Sequence, residues 1–188
     1  MASGRPSFRF VLIDMPSDHE VDNNIVRECQ VIQALLHNRN LGTVTKVITA
    51  SSVDNFRTAD WRPYPQVGFV HVAAHGGEKG IGLIGGEVSW GTLSSRLKLL
   101  SPNLSKDQLR ILCISCCYSQ NAFQQLQPLL SGHFTHAYYF AIKKITFATA
   151  MTVWSMFYRK KTLDRPLKAV VDPINDFFGS ETIAFDEF

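Results

Sequence analysis

The chain has 188 residues, of which 45% are hydrophobic and 19% are charged, and these values are typical of a globular protein rather than a disordered one. The formal net charge of +3 is spread along the sequence, which lacks the basic stripe of nucleic-acid-binding proteins. No apolar run reaches the roughly 18 residues needed to cross a bilayer, and the first residues lack the apolar core of a secretory signal. We therefore expect a cytoplasmic protein with no nucleic-acid or membrane partner.

The first half of the chain predicts three strands separated by helical segments. Phe8–Ile13 is a compact apolar run and predicts the first strand. Apolar residues recur at helical spacing in Ile25–Leu36, which predicts an amphipathic helix. The β-branched run Thr43–Thr49 predicts a second strand, and a short segment around Phe56 follows it. Val67–Ala74 predicts a third strand with two apolar faces, as in a parallel sheet.

The second half continues the alternation of strands and helices. It begins with a glycine-rich stretch that predicts a loop and a small hairpin. The predicted segments are this stretch at His75–Gly91, a helix at Leu93–Leu100, a strand at Leu109–Ile114, a helix at Ala122–Leu130, a strand at His136–Ile142, a helix at Thr149–Tyr158 and a last helix at Pro166–Phe178 interrupted at Pro173.

This alternation predicts an α/β sandwich with a mostly parallel sheet and right-handed crossovers, formed as one domain over residues 1–188. Active sites of such sheets lie beyond the carboxyl ends of the strands. The third predicted strand ends at His75-Gly76 and the fourth leads to Cys116-Cys117. A thiol and an imidazole at one sheet edge are the groups that nucleophilic catalysis needs, with His75 as base and Cys117 as nucleophile. The backbone N–H groups of Gly76 and Cys117 are candidates for an oxyanion hole.

Both segments resemble the catalytic motifs of caspase-like cysteine peptidases. Phe69–Gly76 is similar to the "hydrophobic strand, then His-Gly" motif, and more narrowly to that of the CHAT branch, which often carries a second histidine, here His71. Ile111–Ser119 resembles the CHAT nucleophile motif of four apolar residues, Ser, a small residue, Cys, any residue and then Ser or Thr. That alignment makes Cys117 the nucleophile, whereas a shift by one residue would select Cys116.

The resemblance implies a caspase-like three-layer α/β/α fold in the clan of caspases, separases and gingipains. It implies a cysteine endopeptidase with a His-Cys dyad that cleaves a specific partner protein, with a separate activator or sensor protein and a role in bacterial (antiviral) defence. Neither a cofactor nor a metal is expected, because Cys113 and Cys116 have zinc spacing but lack a second ligand pair. Two alternatives stay open: a catalytically silent interaction module of the same fold, and a thiol redox sensor that uses Cys116 and Cys117.

Three further predictions concern single residues. Asp14 follows the first strand and is a candidate substrate-binding residue that would select Lys or Arg at the cleaved position. A turn-capping role for Asp14 is the alternative, and the other acids considered for substrate binding are Asp18, Glu20 and Asp172. His71 lies within a strand and is expected to be buried and hydrogen-bonded. The cysteines expected in the core are Cys29 and Cys113.

Overall fold

The structure is a computed structural model that describes residues 9–16, 26–105, 108–160 and 167–188. Within these ranges the chain forms eight strands, six α-helices and two short 3-10 helices. The strands are β1 (Phe10–Met15), β2 (Thr45–Thr49), β3 (Phe69–Gly76), β4 (Gly80–Leu83), β5 (Gly86–Ser89), β6 (Ile111–Ser115), β7 (His136–Phe140) and β8 (Ile183–Glu187). The α-helices are α1 (Glu28–Asn38), α2 (Val53–Thr58), α3 (Trp90–Leu100), α4 (Ser119–Leu130), α5 (Phe147–Lys160) and α6 (Asp172–Phe178), and the 3-10 helices are Gly42–Val44 and Lys168–Val170.

The central sheet is mostly parallel. Its strand order is β2-β1-β3-β6-β7-β8, and all neighbours in this row are parallel except β8, which is antiparallel to β7. A hairpin of β4 and β5 extends from the end of β3. The predicted α/β class with a mostly parallel sheet is therefore confirmed, and so is the hairpin after His75.

Helices cover both faces of the sheet. Alternate residues of β1 enter different cores: Val11 and Ile13 pack with the residues of α2, α3 and α4, whereas Phe10 and Leu12 pack with those of α1, α5 and α6. The central strands β1, β3 and β6 therefore lack a solvent-exposed face over most of their length, which explains why their sequences show nearly continuous apolar runs instead of alternation.

Several helix boundaries differ from the sequence prediction. Helix α4 begins at Ser119, three residues before the predicted start, and it contains Pro128 in its last turn. Helix α1 begins at Glu28, while Ile25, where the prediction began, lies outside the described residues. The Arg27 N–H donates to the Gln30 side chain (2.9 Å), so the first turn of α1 satisfies one of its own unpaired N–H groups.

Strand β8 was not predicted. In the described part of the predicted helix Pro166–Phe178, a 3-10 turn is followed by α6, and Pro173 lies in the first turn of α6 instead of interrupting a helix. Gly179, in the left-handed conformation (φ 64°), follows the end of α6. The Asn175 side chain then accepts hydrogen bonds from the N–H groups of Thr182 and Ile183, both at 2.9 Å. These contacts turn the chain into an antiparallel edge strand beside β7. None of the helices in the described ranges has the length and apolar content that a membrane crossing needs.

Candidate active site

His75 and Cys117 lie at the same end of two neighbouring parallel strands. Ala73 of β3 is paired with Ser115 of β6, and each candidate lies two residues further along its own strand direction. By the alternation of strand side chains, both belong to the face that carries α1 and α5. The two side chains line one cleft at the carboxyl edge of the sheet. The structure therefore brings together the pair that the sequence predicted, as adjacent parallel strands require.

A tight turn of residues 116–118, here called the nucleophile turn, connects β6 to α4 at the candidate nucleophile. Tyr118 adopts the left-handed conformation (φ 58°), which is uncommon for a residue with a side chain, and α4 begins at the next residue. Ser119 is fully buried, and its hydroxyl accepts from the Phe140 N–H (2.9 Å) and donates to the Phe140 carbonyl (3.1 Å). Both hydrogen bonds attach this turn to β7, so Cys117 sits on a fixed strand-to-helix connection.

Gly76 lies against the nucleophile turn with no space for a side chain. A Cβ atom at this position would be 2.2 Å from the Cys117 carbonyl oxygen and 2.8 Å from the Cys116 sulfur. The Gly77 N–H donates to the Gly80 carbonyl (2.8 Å), so Gly76 and Ile81 form the non-hydrogen-bonded pair of the β3–β4 ladder. The Gly76 N–H is consequently directed away from β4, which leaves it outside that ladder.

Cys116 and Cys117 have different environments. The Cys116 side chain is 3% exposed and packs in the core with Leu112 and Ile114. Burial raises the pKa of the Cys116 thiol, with a smaller contribution from the neighbouring Cys117. Cys117 is partly exposed and lines the cleft, and its sulfur lies 3.7 Å from the Ile145 carbonyl oxygen. This contrast favours Cys117 as the reactive thiol, because the thiolate is the nucleophilic form.

Asp14 also lines the cleft, at the end of β1. Asp14 is only 3% exposed, and its carboxylate lies 2.9 Å from the guanidinium of Arg27, which precedes α1. Asp172 begins α6 and lines a different surface cleft. The other two acids considered, Asp18 and Glu20, lie outside the described residues. Among the described candidates, Asp14 is thus the acid that shares the cleft with His75 and Cys117, and it already has a cationic partner.

A buried polar network lies beside the cleft, and it was not predicted. The Glu28 carboxylate accepts a hydrogen bond from the Ser115 hydroxyl (2.8 Å) and lies 2.6 Å from His71 Nε2. The Tyr158 hydroxyl is 3.2 Å from His71 Nδ1. Since a carboxylate can only accept, His71 Nε2 carries the proton that is directed at Glu28. Burial raises the pKa of Tyr158, which keeps this phenol protonated.

The expected burial of His71 is confirmed, since this residue is 0% exposed and its ring packs edge-on against Trp154 at 4.8 Å. Cys29 and Cys113 are buried as expected. Glu28 could have been suspected from the sequence, because it precedes Ile32 by four residues and Leu36 by eight, which places an acid on the apolar stripe of α1.

The loop between β7 and α5 closes one side of the cleft. The Tyr118 N–H donates to the Lys143 carbonyl (2.8 Å), and the Lys143 ammonium lies 5.1 Å from the centre of the Tyr118 ring. Ile145, Thr146 and Phe147 then line the cleft beside Cys117. This loop and the nucleophile turn therefore form one connected wall.

The described residues contain no group of three or more His, Cys, Asp or Glu side chains that could hold a metal ion. A scan against models of known protein families finds no match, and neither does a search of curated proteins.

Proposed function

We propose that this protein is a cysteine endopeptidase with a caspase-like fold, in which His75 and Cys117 form the catalytic dyad. The observation that carries the proposal is the delivery of an imidazole and a partly exposed thiol to one cleft by two adjacent parallel strands. The parallel sheet with helices on both faces and the two sequence motifs support the same assignment.

In the proposed reaction, His75 takes the proton of the Cys117 thiol, and the sulfur attacks the carbonyl carbon of the scissile peptide bond. The N–H groups of Gly76 and Cys117 stabilise the oxyanion that forms; losing one such donor typically raises the barrier by about 3–4 kcal/mol. The bond to the amine then breaks as His75 returns the proton to nitrogen. Water, deprotonated by His75, hydrolyses the resulting thioester and releases the acid and the thiol. The amino end of α4 begins two residues after Cys117, and its dipole favours negative charge there.

The charges of the cleft favour a cationic residue at the cleaved position. Asp14 and Glu28 contribute two carboxylates and Arg27 one guanidinium, so the acidic side chains of the described lining outnumber the Arg and Lys side chains by one. Lys or Arg would complement this charge. Because Arg27 already pairs with Asp14, we expect the preference to be moderate. On the strength of the resemblance, the substrate is one partner protein of a bacterial defence pathway, and a separate activator or sensor protein controls the enzyme.

Labelling with an irreversible electrophilic peptide that carries Arg at the reactive position tests the dyad. Wild-type protein should form one adduct, located on Cys117 by mass spectrometry, and Cys117→Ala should form none. His75→Ala should slow labelling by about 100-fold or more, the usual contribution of a general base. Cys116→Ser is the matched control and should react within about twofold of wild type, because the Cys116 thiol is buried.

Cleavage of a peptide library by wild type and Cys117→Ala, with products read by mass spectrometry, completes the test. The dyad would be refuted by an adduct on Cys116, by a labelling rate that does not change in His75→Ala, or by equal cleavage by both proteins. A folded protein that neither reacts nor cleaves would be the catalytically silent interaction module instead. The redox-sensor alternative has less support, since the burial of Cys116 keeps its thiol from an attacking partner.

A further inference from the structure

The carboxylate of Glu28 contacts both strands that carry the proposed dyad. Its Oε2 atom accepts a hydrogen bond (2.8 Å) from the hydroxyl of Ser115, the last residue of β6. Its Oε1 atom lies 2.6 Å from Nε2 of His71, which belongs to β3. Ser115 comes two residues before Cys117 and His71 comes four before His75. One side chain of α1 therefore fixes points close to both reactive groups.

The network is enclosed on the side away from the cleft. Glu28 is 6% exposed, Ser115 is 4% exposed and His71 is fully buried. Tyr158 closes the chain of contacts at His71 Nδ1. Glu28 is also the first residue of α1, where the helix dipole stabilises an anion. Each polar atom that the network uses thus has a partner, which makes the arrangement rigid.

Stability alone does not explain this network. Replacing a buried ionic or polar group by an apolar residue of similar volume is often neutral or stabilising, because desolvation offsets the attraction. Apolar residues could fill this space between α1 and the sheet, as Cys29 and Ile32 do elsewhere on the same helix. The feature that the polar residues add is directional contact at fixed distances to β3 and β6.

We propose that Glu28 is a positioning residue of the peptidase: its hydrogen bonds to Ser115 and His71 hold β6 and β3 so that the Cys117 thiol and the His75 imidazole meet in reactive geometry. The inference rests on the proposed function. It assigns to His71 the task of transmitting the position of Glu28 to β3. Displacement of a reacting group by about 1 Å can slow a reaction about 100-fold.

A double-mutant cycle between Glu28 and His75 tests the proposal, read as the rate of Cys117 labelling by the same Arg-containing electrophilic peptide. Glu28→Gln has nearly the same shape but replaces one of the two acceptor oxygens by an NH2 donor, so the contacts to Ser115 and to His71 Nε2 cannot both be kept as they are. We expect it to slow labelling about 10- to 100-fold. In the His75→Ala background the same change should alter the rate by less than about twofold, because no imidazole is left to misplace.

Ser115→Ala is a milder variant that keeps the test valid if Glu28→Gln does not fold. It removes one of the two contacts and should slow labelling about three- to tenfold, again only when His75 is present. Ile32→Val is the matched control: it changes a buried residue four positions further along α1 without touching the network, and labelling should stay within about twofold of wild type.

The outcomes separate this inference from the proposed function. If wild-type labelling does not depend on His75, the dyad itself is wrong. If labelling depends on His75 but the folded Glu28 and Ser115 variants react like wild type, or slow labelling equally with and without His75, the positioning role is wrong and the peptidase assignment stands. Loss of the Glu28 effect in the His75→Ala background supports both.

Discussion

The two ends of the parallel sheet both bury ionic side chains, but they satisfy them differently. At the amino end, Arg110 is 0% exposed, and its partners among the described residues are backbone carbonyl oxygens. At the carboxyl end, Glu28 contacts the side chains of His71 and Ser115 and lines the cleft. Within the part of the chain that the structure describes, the Arg110 guanidinium donates to the carbonyls of Val67 (3.2 Å), His133 (2.8 Å), Pro102 (2.5 Å) and Pro65 (3.4 Å).

On the proposed function, this difference separates a structural charge from one that positions reacting groups. The carbonyls around Arg110 belong to the segments that lead into β3 and β7 or follow α3, so the guanidinium ties the starts of neighbouring strands together. Burial lowers the pKa of Arg110 to about 10, and the group therefore stays protonated at neutral pH. A buried charge that is hydrogen-bonded to backbone carbonyls can fix loops but is not accessible to a ligand. A charge that contacts side chains at the edge of a cleft can orient reacting groups.

Replacing Arg110 should have the largest effect on stability. Arg110→Met removes the guanidinium and leaves several buried carbonyls without a donor, which should lower the free energy of unfolding by about 3–5 kcal/mol. Urea unfolding followed by circular dichroism measures the change, and His75-dependent labelling of the folded fraction should remain. Arg96→Met is the control, because Arg96 makes one exposed hydrogen bond to the Arg57 carbonyl (3.2 Å), and it should cost less than about 0.5 kcal/mol. Equal losses for the two variants would contradict the structural role of Arg110.

At the carboxyl end, Gly76→Ala should damage the site with a smaller loss of stability. The added methyl would overlap the Cys117 carbonyl and the Cys116 sulfur, so the nucleophile turn must shift. We expect labelling of Cys117 to slow at least about tenfold, and the free energy of unfolding to fall by about 1–3 kcal/mol, as for other overpacked sites. In Gly82→Ala the nearest heavy atom to the new Cβ is the His75 carbonyl oxygen at 3.8 Å, an ordinary contact, and labelling should stay within about twofold. If Gly76→Ala labels as fast as Gly82→Ala, the close packing at Gly76 is irrelevant to the thiol.

Local sequence patterns were sufficient to predict the two strands that carry the candidate site. The apolar runs of β3 and β6 identify two buried strands, and parallel neighbours end at the same edge of a sheet, so His75 and Cys117 could be placed together from sequence. Gly76 could be identified from the sequence, but the steric reason for a glycine there could not be predicted. The close approach of the Cys117 carbonyl depends on how the nucleophile turn packs.

The polar network could not be predicted because its members are far apart in the chain. Glu28 lies 43 residues from His71 and 87 from Ser115, and His71 is again 87 residues from Tyr158. Periodicity shows which face of α1 is buried, but not which strand it meets. Strand β8 was missed for a related reason: it is only five residues long and ends in Asp186 and Glu187, and its pairing with β7 depends on the contacts of Asn175.

The ion pair of Asp14 and Arg27 gives the smallest predicted effect and the sharpest test of selectivity at the carboxyl end. If the Asp14 carboxylate attracts a basic residue at the cleaved position, Asp14→Asn should lower the preference for Arg over Gln substrates, whereas Arg27→Gln, which removes a competing cation, should raise it. Each change should be about twofold to fivefold in the ratio of kcat/KM values, equivalent to about 0.4–1 kcal/mol, because Arg27 competes with the substrate for the Asp14 carboxylate. Matched peptides that differ only at the cleaved position measure this ratio. Because general disruption of the cleft would change both variants in the same direction, opposite shifts can arise only from charge, and parallel shifts would exclude Asp14 as a selectivity residue.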